Sequence, residues 1–227
     1  MYSKSPKLIK RMFNSISQNY DLTNTVMTFG LDALWRKYLL QWARLSPGQW
    51  VLDVGTGTGK LLRGAEGYGA GAIGLDMSER MLFIAKGKNP NSLLVLGDAL
   101  MLPFKEHTFE RVISAFLLRN ASDLATCLAE QFRVLKAKGL FLALETAPIP
   151  KDSLLYSAIY IYLRWVVPLL GFMITRNMAA FRYLIESTAS FKTPLEMEAI
   201  LKKTGFINVR HRRFAFGTTV VYYGEKP

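Results

Sequence analysis

Between residues 49 and 144 the sequence alternates between short apolar segments and segments with helical spacing. Five apolar segments have the length and composition of strands: residues 49–54, 72–76, 93–96, 111–116 and 140–144. Helical patterns begin near Thr58, at Ser78 and at Asp123, each in the gap after one of these segments. Strands that alternate with helices pair in parallel, with both faces of the sheet covered. The alternation therefore predicts an α/β fold built on a mostly parallel sheet.

The flanking segments extend this prediction to the whole chain. Residues 6–45 have helical spacing, and a further helix is expected over residues 193–204, closed by Gly205. Strands at residues 209–216 and 218–223, separated by a single glycine, predict an antiparallel terminal hairpin and bring the sheet to seven strands. We expect one domain with four parts: an N-terminal helical cover (1–45), a ligand-binding core (46–145), a helical lid insertion (146–192), and a last helix with the terminal hairpin (193–227).

The charge balance is strongly basic, with a formal net charge of +12 over 227 residues. Such a balance favours anionic partners, which include nucleic acid, anionic lipid and acidic substrates. No nucleic-acid-binding module is recognisable, but charge alone does not choose between RNA and a membrane. The apolar segment at residues 154–173 favours an anionic membrane surface. Basic side chains crowd both ends of the chain: Lys4, Lys7, Lys10 and Arg11, then His211, Arg212 and Arg213.

The number of cysteines indicates the cellular compartment of the protein. Cys127 is the chain's one cysteine, which excludes an internal disulfide. A chain without disulfides suits a reducing compartment, so we expect a cytoplasmic protein. Cys127 occupies an apolar position of a predicted helix, where a free cysteine is usually a core residue rather than a nucleophile.

The turn after the first predicted strand carries glycine at alternate positions, in the sequence Gly55-Thr56-Gly57-Thr58-Gly59. Glycine tolerates positive φ and lets a ligand approach the backbone closely. A dinucleotide-binding fingerprint, G-x-G-x-x-G, would place the third glycine one residue later. The turn therefore predicts a ligand-binding loop of another type, with an ordinary tight turn as the alternative.

Acidic residues follow the next two predicted strands. Asp76 ends the second strand, where a carboxylate can accept from both hydroxyls of a ribose. The alternative role for Asp76 is that of a helix N-cap, but Ser78 already supplies that cap. Asp98 lies just past the third strand, where it could accept from an adenine amino group. The carboxyl ends of neighbouring parallel strands meet at one crevice of the sheet. Together these loops predict a site for a nucleoside-containing cofactor.

The cofactor motifs resemble those of class I S-adenosylmethionine-dependent methyltransferases. The resemblance is carried by residues 53–59, Asp76, Asp98-Ala99 and residues 133–139. It implies a Rossmann-like fold with S-adenosyl-L-methionine as cofactor and no metal. The implied cofactor-binding residues are Gly55, Gly57, Thr58 and Gly59 at the methionine end, Asp76 with Met77 at the ribose, and Asp98 with the Ala99 amide at the adenine.

Segments outside the cofactor loops resemble the ubiquinone/menaquinone biosynthesis C-methyltransferase family of the UbiE type. The motifs are residues 13–24 running on to Trp35-Arg36, residues 118–120, residues 181–187 and residues 217–227. The resemblance implies C-methylation of a prenylated quinol precursor. Demethylmenaquinol is the first expectation, and the benzoquinol equivalent of ubiquinone biosynthesis is the second.

The same resemblance implies that Arg119 and Asn120 face the methyl acceptor. Arginine stays protonated at neutral pH, so we expect Arg119 to stabilise an ionised hydroxyl and Asn120 to orient the ring. Tyr20, beside Asp21 in the N-terminal cover, is a third candidate catalytic residue. The alternatives are a structural salt bridge from Arg119 to the helix opened by Asp123, and simple packing for Tyr20.

Four positions depart from the family pattern and keep other functions open. The family usually has an acidic residue at Lys60, serine at Ala115 and glycine at Leu117, and often proline at Ile185. One alternative is a methyltransferase for another lipophilic phenol, a sterol or a secondary metabolite. The alternative from another class is a non-catalytic cofactor-binding subunit of a membrane-bound biosynthetic assembly.

Residues 154–173 form an apolar segment long enough to span a bilayer. Arg164 and Pro168 interrupt it, so we expect a lid that forms an apolar channel for a prenyl tail. A core helix pair or a homodimer interface is the alternative. Aromatic side chains in this segment favour peripheral attachment at the inner face of an anionic membrane: Tyr156, Tyr160, Tyr162 and Trp165.

Overall fold

A computed structural model describes residues 5–150 and 154–227, so Lys4 and part of the predicted lid insertion lie outside the described residues. The described residues form a seven-stranded sheet in the order β3-β2-β1-β4-β5-β7-β6. The strands are β1 Trp50–Val54, β2 Gly71–Asp76, β3 Leu93–Leu96, β4 Phe109–Ala115, β5 Leu135–Thr146, β6 Ile207–Phe214 and β7 Thr219–Glu225. Strands β1 to β5 pair in parallel, whereas β7 runs antiparallel to β5 and β6. The predicted mostly parallel sheet with an antiparallel hairpin is confirmed.

The helices of the described residues are α1 Pro6–Ile16, α2 Tyr20–Met27, α3 Leu31–Ala43, α4 Lys60–Glu66, α5 Glu79–Lys88, α6 Leu124–Val134, α7 Tyr156–Ile161, α8 Val167–Thr175, α9 Met178–Ala189 and α10 Pro194–Thr204. Two apolar cores separate the layers of the fold. Helices α3 and α4 pack on one face of the sheet around Leu39 and Leu61, and α6 and α10 pack on the other around Leu128 and Leu201. Cys127 lies fully buried in the second core, where burial raises the pKa of its thiol to about 12.

Local cap signals place three of the helix starts. The Ser78 hydroxyl accepts from the Met81 amide at the start of α5, and the Asp123 carboxylate accepts from the Thr126 amide at the start of α6. At α10, Thr193 and Glu196 form a reciprocal capping box. Such caps satisfy backbone donors that have no partner inside the helix. The sequence patterns at these points therefore gave correct helix boundaries.

The terminal hairpin differs from the prediction that a single glycine separates its strands. Strand β6 ends at Phe214, and a 3-10 turn over Ala215–Gly217 precedes β7. Ala215 and Phe216 have φ of 47° and 55°, and Gly217 has φ of 90°. Backbone in this region cannot continue a strand. The turn is therefore longer than the sequence pattern indicates.

The N-terminal cover and the lid insertion pack on each other above the carboxyl ends of the strands. Ile16 of α1 lies in a small apolar core with Ala180 and Phe181 of α9. The Tyr162 hydroxyl donates to the Met27 carbonyl oxygen at 2.8 Å. These two segments are far apart in sequence, yet together they form a roof over one edge of the sheet.

The lid begins with one continuous helix, Tyr156–Thr175, in which a π-helical turn over Tyr162–Val166 joins α7 to α8. This helix is long and apolar enough to cross a membrane, but length and composition alone are weak evidence for a span. Of the 18 consecutive residues with the highest mean hydropathy in this helix, 17% are buried. Tyr156, Ile159 and Leu163 lie one helical turn apart and line a cavity beneath the helix. The helix is therefore a cavity wall with an exposed outer side rather than a core helix.

Gly171 allows α8 and α9 to approach closely, because a Cβ atom there would overlap the ring of Phe181. We expect Gly171→Ala to lower the free energy of unfolding by about 1–3 kcal/mol through overpacking. The measurement is urea denaturation followed by circular dichroism. The matched control is Gly87→Ala in α5, where an added Cβ meets nothing within 4 Å and we expect no loss. Equal stability of the two variants would contradict the close packing of α8 on α9.

Candidate active site

A cleft lies at the carboxyl ends of β1 to β4, where the sequence motifs predict the cofactor. The sheet side of the cleft is lined by six of the eight predicted cofactor-binding residues: Gly55, Gly57, Asp76, Met77, Asp98 and Ala99. The opposite wall comes from the N-terminal cover through Pro6, Ile9, Phe13 and Tyr20. The crevice at the carboxyl edge of a parallel sheet is the usual position of a ligand.

The glycine turn has the backbone geometry that its sequence requires. Gly55, Gly57 and Gly59 have φ of 69°, 57° and 78°. Residues with a Cβ atom rarely adopt this region of backbone conformation. A Cβ atom at Gly55 would lie 2.9 Å from the Cδ1 atom of Leu117. The Gly55 and Thr56 amides donate to the Leu75 carbonyl oxygen, which ties the turn to β2.

Thr58 and Gly59 occupy the same turn but do not line the cleft in the described part of the chain. The Thr58 hydroxyl donates to Asp21 Oδ1 at 2.8 Å and therefore faces the N-terminal cover. Gly59 is the N-cap residue of α4, and a Cβ atom there would lie 3.3 Å from the Cβ atom of Ala85. These two residues shape and anchor the turn, while Gly55 and Gly57 present its backbone to the cleft.

Asp53, at the base of the turn, is fully buried and accepts from the Thr56 hydroxyl at 2.7 Å. Burial raises the pKa of its carboxyl group to about 6, although the Thr56 hydrogen bond and the charge of Arg36 oppose the shift. The sequence motif includes Asp53 without indicating a role for it. In the structure it braces the turn from below.

Asp76 ends β2, and its carboxylate lines the cleft. One of its carboxylate oxygens accepts from the Gly57 amide at 2.8 Å and the other from the Ser78 amide at 2.9 Å. Burial raises the pKa of this carboxyl group, and the backbone hydrogen bonds partly offset that shift. The Met77 amide also stabilises the charged form of the carboxylate. A carboxylate has about four acceptor positions, so it retains capacity for a ligand hydroxyl.

The rest of the cleft also fits an adenosyl group. Leu75, Met81 and Leu100 provide apolar surface for a base. Asp98 accepts from the Leu100 amide at 2.9 Å, which orients its carboxylate at the same end of the cleft. Carboxylates for hydroxyl and amino donors beside an apolar wall match the chemistry of S-adenosylmethionine.

Polar contacts fasten the N-terminal cover to the cofactor loops. Burial opposes ionisation of Asp21, but hydrogen bonds from Lys88 and Thr58 hold its pKa below the ordinary value. Lys60 lies 3.2 Å from Asp32 and 3.7 Å from Asp21. The departure from the family at Lys60 therefore faces the cover and pairs with its carboxylates.

A second, larger cavity of about 680 Å³ lies between the cover, the lid and the ends of β5 and β7. Its walls are mostly apolar, and its polar end is formed by Arg119, Asn120 and Thr146. Phe13, Tyr20, Phe116 and Asn120 line both this cavity and the cofactor cleft. The two spaces therefore meet at Tyr20 and Asn120, two of the three residues for which the sequence predicts catalytic roles, and Arg119 lines the larger space alone. We refer to the larger space as the acceptor cavity.

Arg119 forms a buried ion pair with Glu145 of β5, and the two side chains are 4% and 0% exposed. Glu145 also accepts from the Arg119 amide at 3.1 Å and from the Thr146 amide at 2.8 Å. The expected alternative, a salt bridge from Arg119 to the helix that Asp123 opens, is wrong, because Glu145 is the partner and Asp123 caps α6. Glu145 was missed, although an isolated acidic residue in the apolar run 140–146 was a usable signal.

Asn120 is held at both ends of its amide group. Its Nδ2 atom donates to the Phe116 carbonyl oxygen at 2.9 Å, and its Oδ1 atom accepts from the Tyr183 hydroxyl at 3.2 Å. Tyr183 lies within the motif at 181–187, but nothing in that motif indicates which side chain reaches the site. The fold brings it there because α9 crosses above Asn120.

Replacing Asp76 tests the ribose site. In Asp76→Asn the amide nitrogen cannot accept a hydrogen bond, so we expect the affinity for S-adenosylmethionine to fall about 10- to 100-fold. Isothermal titration calorimetry measures this affinity directly. Asp123→Asn is the matched control, since Asp123 also accepts from a backbone amide but caps a helix outside the cleft. Unchanged affinity in Asp76→Asn would contradict the assignment.

Comparison with known proteins agrees with this geometry. The sequence profile of the ubiE/COQ5 methyltransferase family matches residues 1–226. The ubiquinone/menaquinone biosynthesis C-methyltransferase UbiE of Desulfotalea psychrophila is 37% identical over 99% of this chain and 92% of that protein. The demethylmenaquinone methyltransferase of Thermus thermophilus is 35% identical over 95% of this chain and 100% of that protein.

A solved structure confirms the fold. A SAM-dependent methyltransferase of Thermotoga maritima superposes with a TM-score of 0.69 at 20% identity, over 96% of this chain and 99% of that one. Its fold and the two sequence relatives point to the same class of enzyme, whose cofactor is S-adenosylmethionine. The chain belongs to the ubiE/COQ5 methyltransferase family.

Proposed function

We propose that the protein methylates a ring carbon of a prenylated quinol precursor, with demethylmenaquinol as the first candidate and its benzoquinol equivalent as the second. The observation that carries the proposal is the junction of the cofactor cleft with a large apolar cavity at Tyr20 and Asn120. An apolar cavity with a few polar groups at one end suits a prenyl tail with a hydroxylated ring. The names of the two sequence relatives support the same class of acceptor.

S-adenosylmethionine supplies a methyl group that its sulfonium already activates. The protein therefore has to hold the acceptor ring in line, exclude water and stabilise the charge on the ring. A water or a weak base takes the proton of a ring hydroxyl, which raises the electron density at the neighbouring carbon. That carbon takes the methyl group, the electron pair of the broken C–S bond stays on sulfur, and the carbon then loses its own proton to water. A fixed cation beside that oxygen stabilises the ionised form.

Arg119 is placed to supply that cation. Its guanidinium is held by Glu145, and it lies at the polar end of the acceptor cavity. The Nε atom of Arg119 is buried and has no hydrogen-bond partner within residues 5–150 and 154–227. The Arg119 side chain lines the acceptor cavity, so an ionised ring hydroxyl at this end would lie beside its charge, and Asn120 would hold the ring there.

The positions that depart from the family bear on the choice of acceptor. Ala115 and Leu117 line the cofactor cleft, and neither lines the acceptor cavity in the described part of the chain. The substitutions at Ala115 and Leu117 therefore act on the cofactor side. Ile185, where the family often has proline, does line the acceptor cavity, but there one apolar side chain replaces another. This supports a quinol over another lipophilic phenol, a sterol or a secondary metabolite. The glycine turn, Asp76, Asp98 and Arg119 are all present, which supports an enzyme over a non-catalytic subunit.

Label transfer from S-adenosylmethionine tests the acceptor. We expect purified protein to label a ring carbon of short-chain demethylmenaquinol or of the demethylated benzoquinol, each kept reduced. Arg119→Lys keeps a positive charge for Glu145 but replaces the rigid guanidinium with a flexible ammonium group, so we expect kcat to fall about 100-fold or more. Arg212→Lys is the control, because Arg212 stacks on Tyr38 at the surface. Labelling of neither quinol would reject the proposed acceptors, and full activity of Arg119→Lys would reject the role of Arg119.

We also propose that this enzyme works in the cytoplasm as a peripheral protein at the inner face of an anionic membrane, where a prenylated quinol resides. The outer side of the lid helix exposes apolar side chains, among them Ile161, Trp165 and Leu169. Phe29 stacks on Tyr162 of the lid and is also exposed. Exposed apolar surface of this kind, on a chain with a net charge of +12, fits attachment to anionic lipid.

Flotation on liposomes tests this attachment. We expect the protein to float with vesicles that contain anionic lipid at low salt, and Trp165→Glu to weaken this binding several-fold. Phe83→Glu is the matched control, since Phe83 is 81% exposed on α5, compared with 67% for Trp165 on the lid. A wild-type protein that stays in solution, or a dimer that buries the lid, would contradict the proposal.

A further inference from the structure

We propose that Tyr183 of the lid is a positioning residue for methyl transfer, which acts by fixing the side-chain amide of Asn120 at the junction of the two cavities. The inference rests on the proposed function for the identity of the acceptor. It goes further because it makes the lid part of the alignment of that acceptor.

The hydrogen bonds of Asn120 allow only one orientation of its side-chain amide. Oδ1 accepts from the Tyr183 hydroxyl at 3.2 Å, and Nδ2 donates to the Phe116 carbonyl oxygen at 2.9 Å. An amide rotated by half a turn would present a donor to a donor and an acceptor to an acceptor. One hydrogen of Nδ2 and one lone pair of Oδ1 are left to meet a ring hydroxyl.

Tyr183 acts as a hydrogen-bond donor rather than as a base. It is 7% exposed, and burial raises the pKa of its phenol, an effect that Arg119 opposes and Glu145 reinforces. A phenol with a raised pKa stays protonated at neutral pH and donates to Asn120 throughout the working range. Its influence on the reaction is therefore geometric and passes through Asn120.

A second contact from α9 reaches Thr146, another polar residue that lines the acceptor cavity. The Thr188 hydroxyl of α9 lies 2.9 Å from the Thr146 hydroxyl. Thr146 follows Glu145, and its amide donates to the Glu145 carboxylate that holds Arg119. Helix α9 thus contacts both Asn120 and the segment that fixes Arg119. The position of α9 therefore bears on the alignment of both side chains.

The experiment compares Tyr183→Phe with Tyr38→Phe in the full-length protein. Both variants lose one hydroxyl and keep the ring, but the Tyr38 hydroxyl accepts from Arg212 at the surface. We expect Tyr183→Phe to lower kcat about tenfold, since misplacement of a reacting group is costly, with S-adenosylmethionine affinity unchanged within about twofold. Tyr38→Phe should keep wild-type kcat, and the pH profile of kcat should be the same in all three proteins.

A double-mutant cycle shows whether Tyr183 acts through Asn120. In an Asn120→Ala background, we expect Tyr183→Phe to change the single-turnover rate by less than about twofold. A loss by the same factor in both backgrounds would overturn the inference. So would a kcat of Tyr183→Phe equal to that of Tyr38→Phe, or a shifted pH profile.

Failure of the proposed acceptor is recognised separately. If wild-type protein methylates neither quinol, the acceptor assignment is rejected. The same variants are then compared on whichever phenol the wild-type protein methylates, and the expected and contrary outcomes stay as stated.

Discussion

The ion pair between Arg119 and Glu145 is the interaction on which the site depends. Two charges removed from water are tolerated only when each is closely paired and hydrogen bonded. Glu145 meets this condition with the Arg119 side chain, the Arg119 amide and the Thr146 amide. The pair joins the turn after β4 to the end of β5. It thereby fixes Asn120, which follows Arg119 directly, between the cofactor cleft and the acceptor cavity.

Two segments that are distant in sequence close the site above this ion pair. The cover is held to the cofactor loops by Thr58, Lys60 and Lys88 through the carboxylates of Asp21 and Asp32. The lid is held to the cover by an apolar contact and by the hydroxyl of Tyr162. Because the roof is made of both segments, the cleft and the cavity share one covering.

Much of the fold and the cofactor site was predictable because the signals were local. The alternation of strands and helices determined the parallel sheet, and Ser78 and Thr193 marked helix starts at the correct residues. Asp76 was identifiable because the end of a parallel strand has a known position relative to the ligand crevice. Other features were not local. The turn before β7 depends on positive φ at Ala215 and Phe216, which neither residue type indicates.

The sequence by itself determined the fold class, the glycine turn, the carboxylates at the strand ends and the family. Each of these depends on residues close together in the chain or on a motif of fixed spacing. Only the tertiary structure decided that Glu145 holds Arg119, that Thr58 faces the cover and that Tyr183 reaches Asn120. These pairs are separated by 26, 37 and 63 residues. Contacts over such separations follow from the packing of helices and strands, which no local pattern in the sequence records.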